Sequence, residues 1–336
     1  MCMPATRPLL VAHRGASGYR PEHSRSAYEL AIDMGCDAVE PDVVATRDGV
    51  LVVRHENEIS GTTDVASHPE FADRRTTKSF LGHTMTGWFT EDFTWAELQT
   101  LRLRERIPTL RPESAQHDGY EPMLRLSDVL EIAADGARRT GREIGVVVEI
   151  KHDAYFRSIG SDLGALVATE LSASGWPGPG RPVTIESFEP SVLERMRARE
   201  TEAQYVFLLE ATGSPVDMMI ERGADAPTYA EIVEPAGLDR WVAGFDGISV
   251  AKSMILGPDA TARAGAALVE AAHARGLVVY TWTCRPENAF LAKRFRAGGG
   301  KAAFGDYEAE WSLIRDAGVD GVFVDHTDLG AELFLR

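Results

Sequence analysis

The stretch DAVEPDVVATRDGVLVVRHE, residues 37–56, predicts a β-strand, a tight turn and a second strand that returns beside the first. An Asp-Gly pair between the two apolar runs is a strong signal for the turn. Because successive side chains of a strand alternate between its two faces, Glu40 and Asp42 point to the same side of the first strand. Two carboxylates therefore lie on one face of a mostly apolar strand, and the second strand of the hairpin is followed by a histidine, His55.

Short β-branched runs of the same character recur along the whole chain. They are typical of strands buried on both faces, as in a parallel sheet, and they occupy residues 8–15, 37–46, 144–151, 182–188, 204–210, 244–250, 277–283 and 320–325. Helical patterns lie between most of these runs, at residues 24–35, 127–141, 189–200 and 262–276. Eight strands that alternate with helices predict an α/β fold, a closed (β/α)8 TIM barrel rather than an open doubly wound sheet.

Residues 57–122 interrupt this alternation and are too long for a simple loop. We interpret them as a small insertion after the second-strand hairpin, within a single barrel domain of residues 1–336. One short helix is predicted near residues 94–105. Four aromatic side chains are expected to form the small core of this insertion: Trp88, Phe89, Phe93 and Trp95.

The composition restricts the class of protein. A formal net charge of −16 argues against a nucleic-acid-binding surface, which needs concentrated Lys and Arg. No stretch approaches the roughly 20 apolar residues that span a bilayer, so no transmembrane segment is expected. The three cysteines are scattered, which excludes a disulfide scaffold and a thiolate zinc site. We expect a cytoplasmic protein as the sequence stands, or an exported one if a leader peptide has been removed; no pattern indicates an oligomeric state.

Acidic side chains gather at predicted strand ends, where barrels of this kind carry their chemistry. Glu40, Asp42 and Glu149 come from the second and third predicted barrel strands, so they converge if these strands are neighbours. Each of them alone would be read as an ordinary surface or ion-paired acid. Together, three ionised carboxylates repel one another and require a positive charge. Oxygen ligands without cysteine favour one hard divalent cation, Ca²⁺ or Mg²⁺.

Basic and aromatic side chains are predicted around the same position. His13 ends the first strand and His55 ends the hairpin, and two imidazoles beside a cation suit general acid and general base roles. Arg14 and Lys151 suit an anionic substrate such as a phosphate ester, although each could instead pair with a neighbouring carboxylate. Trp282, near the end of the seventh strand, is either a platform for an organic group or a residue of the barrel packing.

Residues 13–56, HRGASGYRPEHSRSAYELAIDMGCDAVEPDVVATRDGVLVVRHE, resemble the signature of the glycerophosphodiester phosphodiesterase family. The matching elements are HRG, Pro-Glu, Gly-x-Asp, Glu-x-Asp, Thr-x-Asp-Gly and Val-Val-x-His. Downstream, Glu-x-Lys at 149–151, Ser-Phe at 187–188 and Trp-Thr at 282–283 also fall where this family places them. The resemblance covers almost the whole chain except the middle of residues 57–122.

This resemblance implies a metal-dependent TIM barrel that cuts small glycerophosphodiesters into glycerol 3-phosphate and an alcohol, as in lipid and glycerol metabolism. By position, it implies an acid/base pair of His13 and His55, metal ligands Glu40, Asp42 and Glu149, and phosphate contacts from Arg14 and Lys151. Two positions depart from the family pattern. His23 stands where the family has Asn, which places an imidazole near the expected mouth of the site, and Glu56 stands where it has Asp.

The expected reaction is phosphodiester hydrolysis assisted by a cation. One histidine removes a proton from the attacking oxygen, which is either water or the substrate's own adjacent hydroxyl, and the other protonates the leaving alcohol. Two alternatives stay open. The first is a phospholipase D-like barrel that acts on lysophospholipids or sphingomyelin, with the aromatic insertion as a lip for acyl chains. The second is a non-catalytic barrel that binds a phosphodiester.

Overall fold

Eight parallel strand positions close into a barrel in the computed structural model, which describes residues 7–80, 83–259 and 263–335. The strands of the chain are β1 Leu9–His13, β2 Ala38–Glu40, β3 Asp42–Ala45, β4 Leu51–Val53, β5 Thr76–Phe80, β6 His83–Gly87, β7 Gly145–Ile150, β8 Val183–Ser187, β9 Gln204–Leu209, β10 Gly247–Ala251, β11 Val278–Cys284 and β12 Gly321–Val324. Around the barrel the order is β1, then β2 with β3, then β7 to β12, and β12 pairs with β1. The prediction of a closed (β/α)8 barrel is confirmed.

The second barrel position is shared by two short strands. Pro41 separates β2 from β3, because proline has no N–H to donate to a ladder. Its carbonyl nevertheless accepts a hydrogen bond from the backbone N–H of Glu149 at 3.0 Å, and both strands keep the same register with β7. β3 then turns into β4 through the predicted antiparallel hairpin.

Helices surround the barrel, and their bounds are α1 Arg25–Asp33, α2 Trp95–Leu98, α3 Leu126–Thr140, α4 Asp153–Ser158, α5 Leu163–Ala173, α6 Pro190–Ala198, α7 Val216–Arg222, α8 Tyr229–Ile232, α9 Pro235–Gly237, α10 Lys252–Leu256, α11 Arg263–His273, α12 Tyr307–Asp316 and α13 Thr327–Phe334. Ser24 caps α1 by accepting a hydrogen bond from the backbone N–H of Ala27. Gly141 ends α3 with a φ of 68°, a conformation that favours glycine. None of the helices within the described residues has both the length and the hydropathy to cross a lipid bilayer.

The barrel interior is apolar at one level and polar at the next. The apolar layer consists of buried side chains from six strands: Val11, Ala38, Val147, Val206, Tyr280 and Phe323. His13, Glu40 and Glu149 each lie two positions after a residue of that layer, toward the carboxyl end of their strand. Because side chains alternate along a strand, all three also point into the interior, directly above the apolar layer.

Residues 57–122, which we call the 57–122 segment, lie between β4 and α3 and contain the β5–β6 hairpin and α2. The helix predicted over residues 94–105 begins where expected, and the structure shows a capping box there, but it ends early, at Leu98. The backbone N–H groups of Leu103 and Arg104 donate to carbonyls of Glu121 and Thr62 instead. This extended pairing within the segment ends the helix, and helical periodicity alone does not reveal it.

Three of the four predicted core aromatics of the 57–122 segment are buried as expected, but their core is not separate. Trp88, Phe89 and Phe93 are buried, whereas Trp95 is half-buried. Trp88 and Phe93 belong to the large cluster that also packs the outside of the barrel strands, and Phe71 joins them edge-on to Phe93 at 5.1 Å between ring centroids. The segment is therefore packed onto the barrel by a continuous apolar core.

Replacing Phe93 by alanine tests this continuity. We expect Phe93→Ala to lower the free energy of unfolding by roughly 3–5 kcal/mol, because a fully buried aromatic ring leaves a cavity. Urea unfolding followed by circular dichroism measures the loss. Tyr120→Ala is the matched control in the same segment, since Tyr120 is 74% exposed and its loss should change stability by no more than about 0.5 kcal/mol. Equal losses in the two variants would contradict a shared core.

Candidate active site

Three carboxylates meet at the carboxyl end of the barrel. One oxygen each of Glu40, Asp42 and Glu149 lies within 4.8 Å of the others, and all three side chains are buried. Asp42 is the register partner of Glu149 on the neighbouring strand, which explains why they converge. The sequence expectation depended on these strands being neighbours, and they are.

The donor set of this carboxylate cluster fits a hard cation. Oε1 of Glu40 is buried and has no hydrogen-bond partner among the described residues, a costly state for a polar atom. Burial, with Asp42 and Glu149 close by, raises the pKa of Glu40 well above its usual range. Burial also raises the pKa of Glu149, to about 8, despite the nearby ammonium of Lys151. A divalent cation would displace the protons that such carboxyls otherwise hold, and carboxylate oxygens are the ligands that Ca²⁺ and Mg²⁺ prefer.

Two cationic side chains flank the carboxylate cluster. The ammonium of Lys151 lies 3.2 Å from Oδ1 of Asp42 and 2.5 Å from Oε1 of Glu149. The backbone N–H of Arg14 donates to Oε2 of Glu40 at 2.8 Å, and its Nε lies 3.2 Å from Oδ2 of Asp42. Burial of Asp42 opposes its ionisation, but Lys151 and Arg14 together hold the pKa of Asp42 well below its usual range. Both basic residues are thus fixed beside the cluster by ion pairs.

The turn after β1 brings Arg14 into this position. Arg14 has a φ of 60° and Gly15 a φ of 81°, so two successive residues adopt the left-handed region. A Cβ at Gly15 would lie 2.6 Å from the backbone carbon of Ala27, so only glycine fits there. The Arg-Gly pair of the HRG motif therefore folds the backbone N–H of Arg14 toward Glu40.

Each of the two predicted acid/base histidines is held by a carboxylate. Nδ1 of His13 lies 2.7 Å from Oδ1 of Asp325, and Nδ1 of His55 lies 2.5 Å from Oε1 of Glu56. Burial, together with Arg14, lowers the pKa of His13 to about 4, and the pKa of His55 is lowered for the same reasons. Nε2 of neither ring makes a hydrogen bond to another described residue. Nε2 is therefore the atom that each ring can offer for proton transfer.

Trp282 has the barrel-packing role, one of the two that its position allowed. Its indole N–H donates to the carbonyl of Ser249 at 3.2 Å, a barrel-packing contact. Its ring meets Phe188 edge-on at 5.5 Å between centroids, and both rings are half-buried. The ammonium of Lys151 lies 5.6 Å from the centroid of Phe188. This chain of contacts connects Trp282 to the carboxylate cluster through Phe188.

The expectation that His23 lies near the mouth is wrong. Its side chain is fully buried, with Nδ1 2.7 Å from the hydroxyl of Tyr28 and Nε2 2.9 Å from Oδ2 of Asp42. His23 has a φ of 61°, and this left-handed backbone turns the ring inward. The imidazole therefore holds Asp42 from within the protein and is not exposed at a mouth.

Several residues around the site had no role in the sequence interpretation. They are charged side chains that hold the predicted residues in place: Glu22, Arg54, Arg106, Arg111, Glu287 and Asp325. Glu22 was visible as part of the Pro-Glu motif, and Asp325 is the final residue of the predicted last strand. Arg106 and Arg111 lie in the 57–122 segment, where no motif distinguishes them from other arginines.

The chain is similar to known proteins along nearly its whole length. Residues 13–329 match the family model described as "Glycerophosphoryl diester phosphodiesterase family". Glycerophosphodiester phosphodiesterase GDPD6 of Arabidopsis thaliana is 33% identical over 96% of this chain and 84% of that protein. A Haemophilus influenzae glycerophosphodiester phosphodiesterase is 28% identical over 56% of this chain and 52% of its own length.

Solved structures share the fold at lower identity. An Oleispira antarctica phosphodiesterase in complex with the product sn-glycerol-3-phosphate superimposes with a TM-score of 0.64 at 18% identity, covering 97% of this chain and 96% of that chain. A glycerophosphodiester phosphodiesterase of Agrobacterium tumefaciens gives a TM-score of 0.58 at 19% identity, covering 97% and 99%. These likenesses agree with the barrel found here.

Proposed function

Because the chain belongs to the glycerophosphoryl diester phosphodiesterase family of enzymes, we propose that it hydrolyses glycerophosphodiesters to glycerol 3-phosphate and an alcohol, with the help of one divalent cation. The observation that carries this proposal is the buried cluster of Glu40, Asp42 and Glu149 beside two carboxylate-held histidines. We also propose that residues 1–336 act as a single barrel domain with the 57–122 segment as its insertion.

The proposed cation is held by Glu40, Asp42 and Glu149, and both Ca²⁺ and Mg²⁺ suit this set of oxygens. When bound, such an ion withdraws electron density from a phosphate oxygen and lowers the pKa of the attacking oxygen. Arg14 and Lys151 are fixed beside the cluster, so their charges can offset the negative charge that grows on the phosphoryl oxygens.

The two histidines divide the proton transfers between them. With Nδ1–H donated to a carboxylate, a neutral ring keeps a lone pair on Nε2 and can accept a proton from the attacking oxygen. The other ring, protonated, can give its Nε2 proton to the leaving alcohol. An anionic phosphate beside these rings raises their pKa values, which offsets the lowering that burial and Arg14 cause in the free protein. His13 and His55 are the proposed pair, in either order.

The substrate is proposed to be a small diester rather than a lysolipid. The phospholipase D-like alternative needs the aromatic side chains of the 57–122 segment as a lip for acyl chains, but Trp88, Phe89 and Phe93 are buried in the core. They are not available to hold an acyl chain. Trp282 and Phe188 are half-buried, and we propose them as the wall against the organic part of a small substrate.

An assay of product identity tests the proposed reaction. We expect glycerol 3-phosphate to be released from glycerophosphocholine and glycerophosphoethanolamine in a coupled enzymatic assay with divalent cations present. Micellar lysophosphatidylcholine is the comparison substrate and should react much more slowly. Turnover of the micellar lipid alone would support the phospholipase D-like alternative, and tight binding of intact glycerophosphocholine without turnover would support the binding-protein alternative.

A further inference from the structure

Two arginines of the 57–122 segment contact the two carboxylates that hold the candidate histidines. Nη2 of Arg111 donates to Oδ2 of Asp325 at 2.6 Å, and Nε of Arg285, from outside this segment, donates to the same oxygen at 2.6 Å. Nη2 of Arg106 lies 2.6 Å from Oε2 of Glu56. In each case the arginine contacts the carboxylate oxygen that the histidine leaves free. The same arrangement of arginine, carboxylate and imidazole therefore occurs twice, and both arginines come from one short stretch of the chain.

Arg111 is buried, and every nitrogen of its guanidinium is used. Nε donates to Oε1 of Glu287 at 2.7 Å, and Nη1 donates to the carbonyl of Ser17 at 3.0 Å. The hydroxyl of Ser17 in turn donates to the carbonyl of His13 at 2.8 Å. The guanidinium thus has one fixed orientation, which presents Nη2 to Asp325.

Arg106 is fixed by a different acid. Its Nε and Nη2 donate to the two oxygens of Glu22 at 2.8 and 2.6 Å, a bidentate pair. Glu22 is held in turn by Arg14 at 2.9 Å and by Arg54 at 3.0 Å. Because Glu22 is buried and anchored by these other arginines, it positions Arg106 against Glu56.

The charge of the arginine matters because the carboxylate must stay ionised to accept a hydrogen bond from Nδ1–H. A protonated carboxyl would donate to Nδ1 instead, which moves the ring proton to Nε2 and removes the lone pair needed there. Burial favours the protonated form of Asp325, but Arg285 and Arg111 hold its pKa well below the usual range. Burial opposes ionisation of Glu56 as well, and the contacts with His55 and Arg106 lower its pKa.

We propose that Arg106 and Arg111 are positioning residues that keep Glu56 and Asp325 ionised, and thereby fix the proton of His55 and His13 on Nδ1. The 57–122 segment is then part of the machinery that prepares both histidines, in addition to its packing against the barrel. The inference rests on the proposed function for its kinetic consequence, but the tautomer of each ring can be measured without substrate.

The first test reads the ring tautomers directly. In protein labelled with ¹⁵N-histidine, Arg106→Gln should shift the Nδ1 and Nε2 resonances of His55 away from the Nδ1–H tautomer and leave His13 unchanged. Arg111→Gln combined with Arg285→Gln should do the converse, because both arginines donate to Oδ2 of Asp325. Arg104→Gln is the matched control, because Arg104 is exposed and its side chain makes no hydrogen bond or ion pair to a described residue. Unchanged tautomers in both folded variants would overturn the proposal, whatever the activity of the protein.

The second test distinguishes, by enzyme kinetics, the action of Arg106 through His55 from that of Arg111 through His13. Each Arg→Gln change should lower kcat by roughly 10–100-fold with little change in KM, the usual cost of losing a residue that orients a functional ligand. The p-nitrophenyl ester of glycerol 3-phosphate has a leaving group that departs without protonation. One variant should regain most of its activity on this substrate and the other should not, because one histidine serves the leaving group and the other the nucleophile. Equal losses on both substrates in both variants would contradict an action through separate histidines.

The conservative variants guard against a failure to fold. Arg111 is buried among several partners, so Arg111→Gln could unfold the protein; Arg111→Lys keeps the positive charge beside Asp325. We expect Arg111→Lys and Arg106→Lys to retain the Nδ1–H tautomer and to lose less activity than the glutamine variants. Folded lysine variants that lose the tautomer completely would show that the charge is not what fixes the ring proton, against the proposal.

Discussion

Removal of divalent cations should abolish glycerol 3-phosphate release, and Glu40→Gln should lower it by roughly 10³-fold or more even in saturating metal, since a catalytic cation contributes several kcal/mol. Glu40 is the most informative ligand to change because its Oε1 has neither a hydrogen-bond partner nor an ion pair within the described residues, whereas Asp42 and Glu149 both pair with Lys151. Glutamine keeps the shape of the side chain and removes the charge. The coupled assay is run on protein dialysed against chelator, with Ca²⁺, Mg²⁺ and Mn²⁺ added back separately.

Titration calorimetry supplies a readout that does not depend on turnover. The native protein should bind one equivalent of the activating ion, and Glu40→Gln should bind it much more weakly. Glu210→Gln is the matched control, because Glu210 also follows a barrel strand at its carboxyl end but is exposed. Full activity in excess chelator would exclude the proposed cation, whereas restoration by one ion identifies which ion the site uses.

The sequence was sufficient to locate the carboxylate cluster because strand geometry is local. Once residues 37–46 and 144–151 are recognised as neighbouring barrel strands, alternation of side chains places Glu40, Asp42 and Glu149 in the interior. The structure places them there with Asp42 and Glu149 in register. The resemblance to the family indicated which reaction this cluster of carboxylates serves. The family match over residues 13–329 agrees with that resemblance.

Contacts between distant residues could not be predicted in this way. Asp325 ends a predicted strand just as Glu149 lies near the end of another, yet its role depends on a contact with His13 across almost the whole chain. His23 follows the Pro-Glu motif and was expected near the mouth, but this residue has a left-handed φ and its buried ring contacts Asp42. A single residue with an unusual backbone angle decides which side of the site an imidazole reaches.

In the 57–122 segment, too, contacts between residues distant in sequence decide features that local sequence patterns do not predict. Its helix ends at Leu98 because Leu103 and Arg104 pair with backbone groups elsewhere in the segment. In the same stretch, Arg106 and Arg111 contact carboxylates of the site, whereas Arg104 is exposed. Since the three residues are identical in type and close in sequence, no local pattern separates them.

Replacement of either candidate histidine should remove most of the activity without unfolding the protein. We expect His13→Ala and His55→Ala to lower kcat by roughly 10²–10⁴-fold, the contribution of a general acid or base. The coupled assay gives the rates, circular dichroism verifies the fold, and calorimetry verifies that the cation still binds. The last measurement distinguishes loss of proton transfer from damage to the cation site.

The control for these variants is His273→Ala. His273 is also held by a carboxylate, with Nε2 2.8 Å from Oδ2 of Asp320, but it lies on α11 at the outside of the barrel. A carboxylate-held imidazole away from the cluster should be dispensable, so His273→Ala should keep its activity. Near-full activity in His13→Ala or His55→Ala would show that the replaced histidine is not the general acid or the general base. Both variants can be inactive on glycerophosphocholine while only one recovers on the p-nitrophenyl ester. The histidine replaced in the recovering variant is then the general acid, since the leaving group of this ester needs no proton.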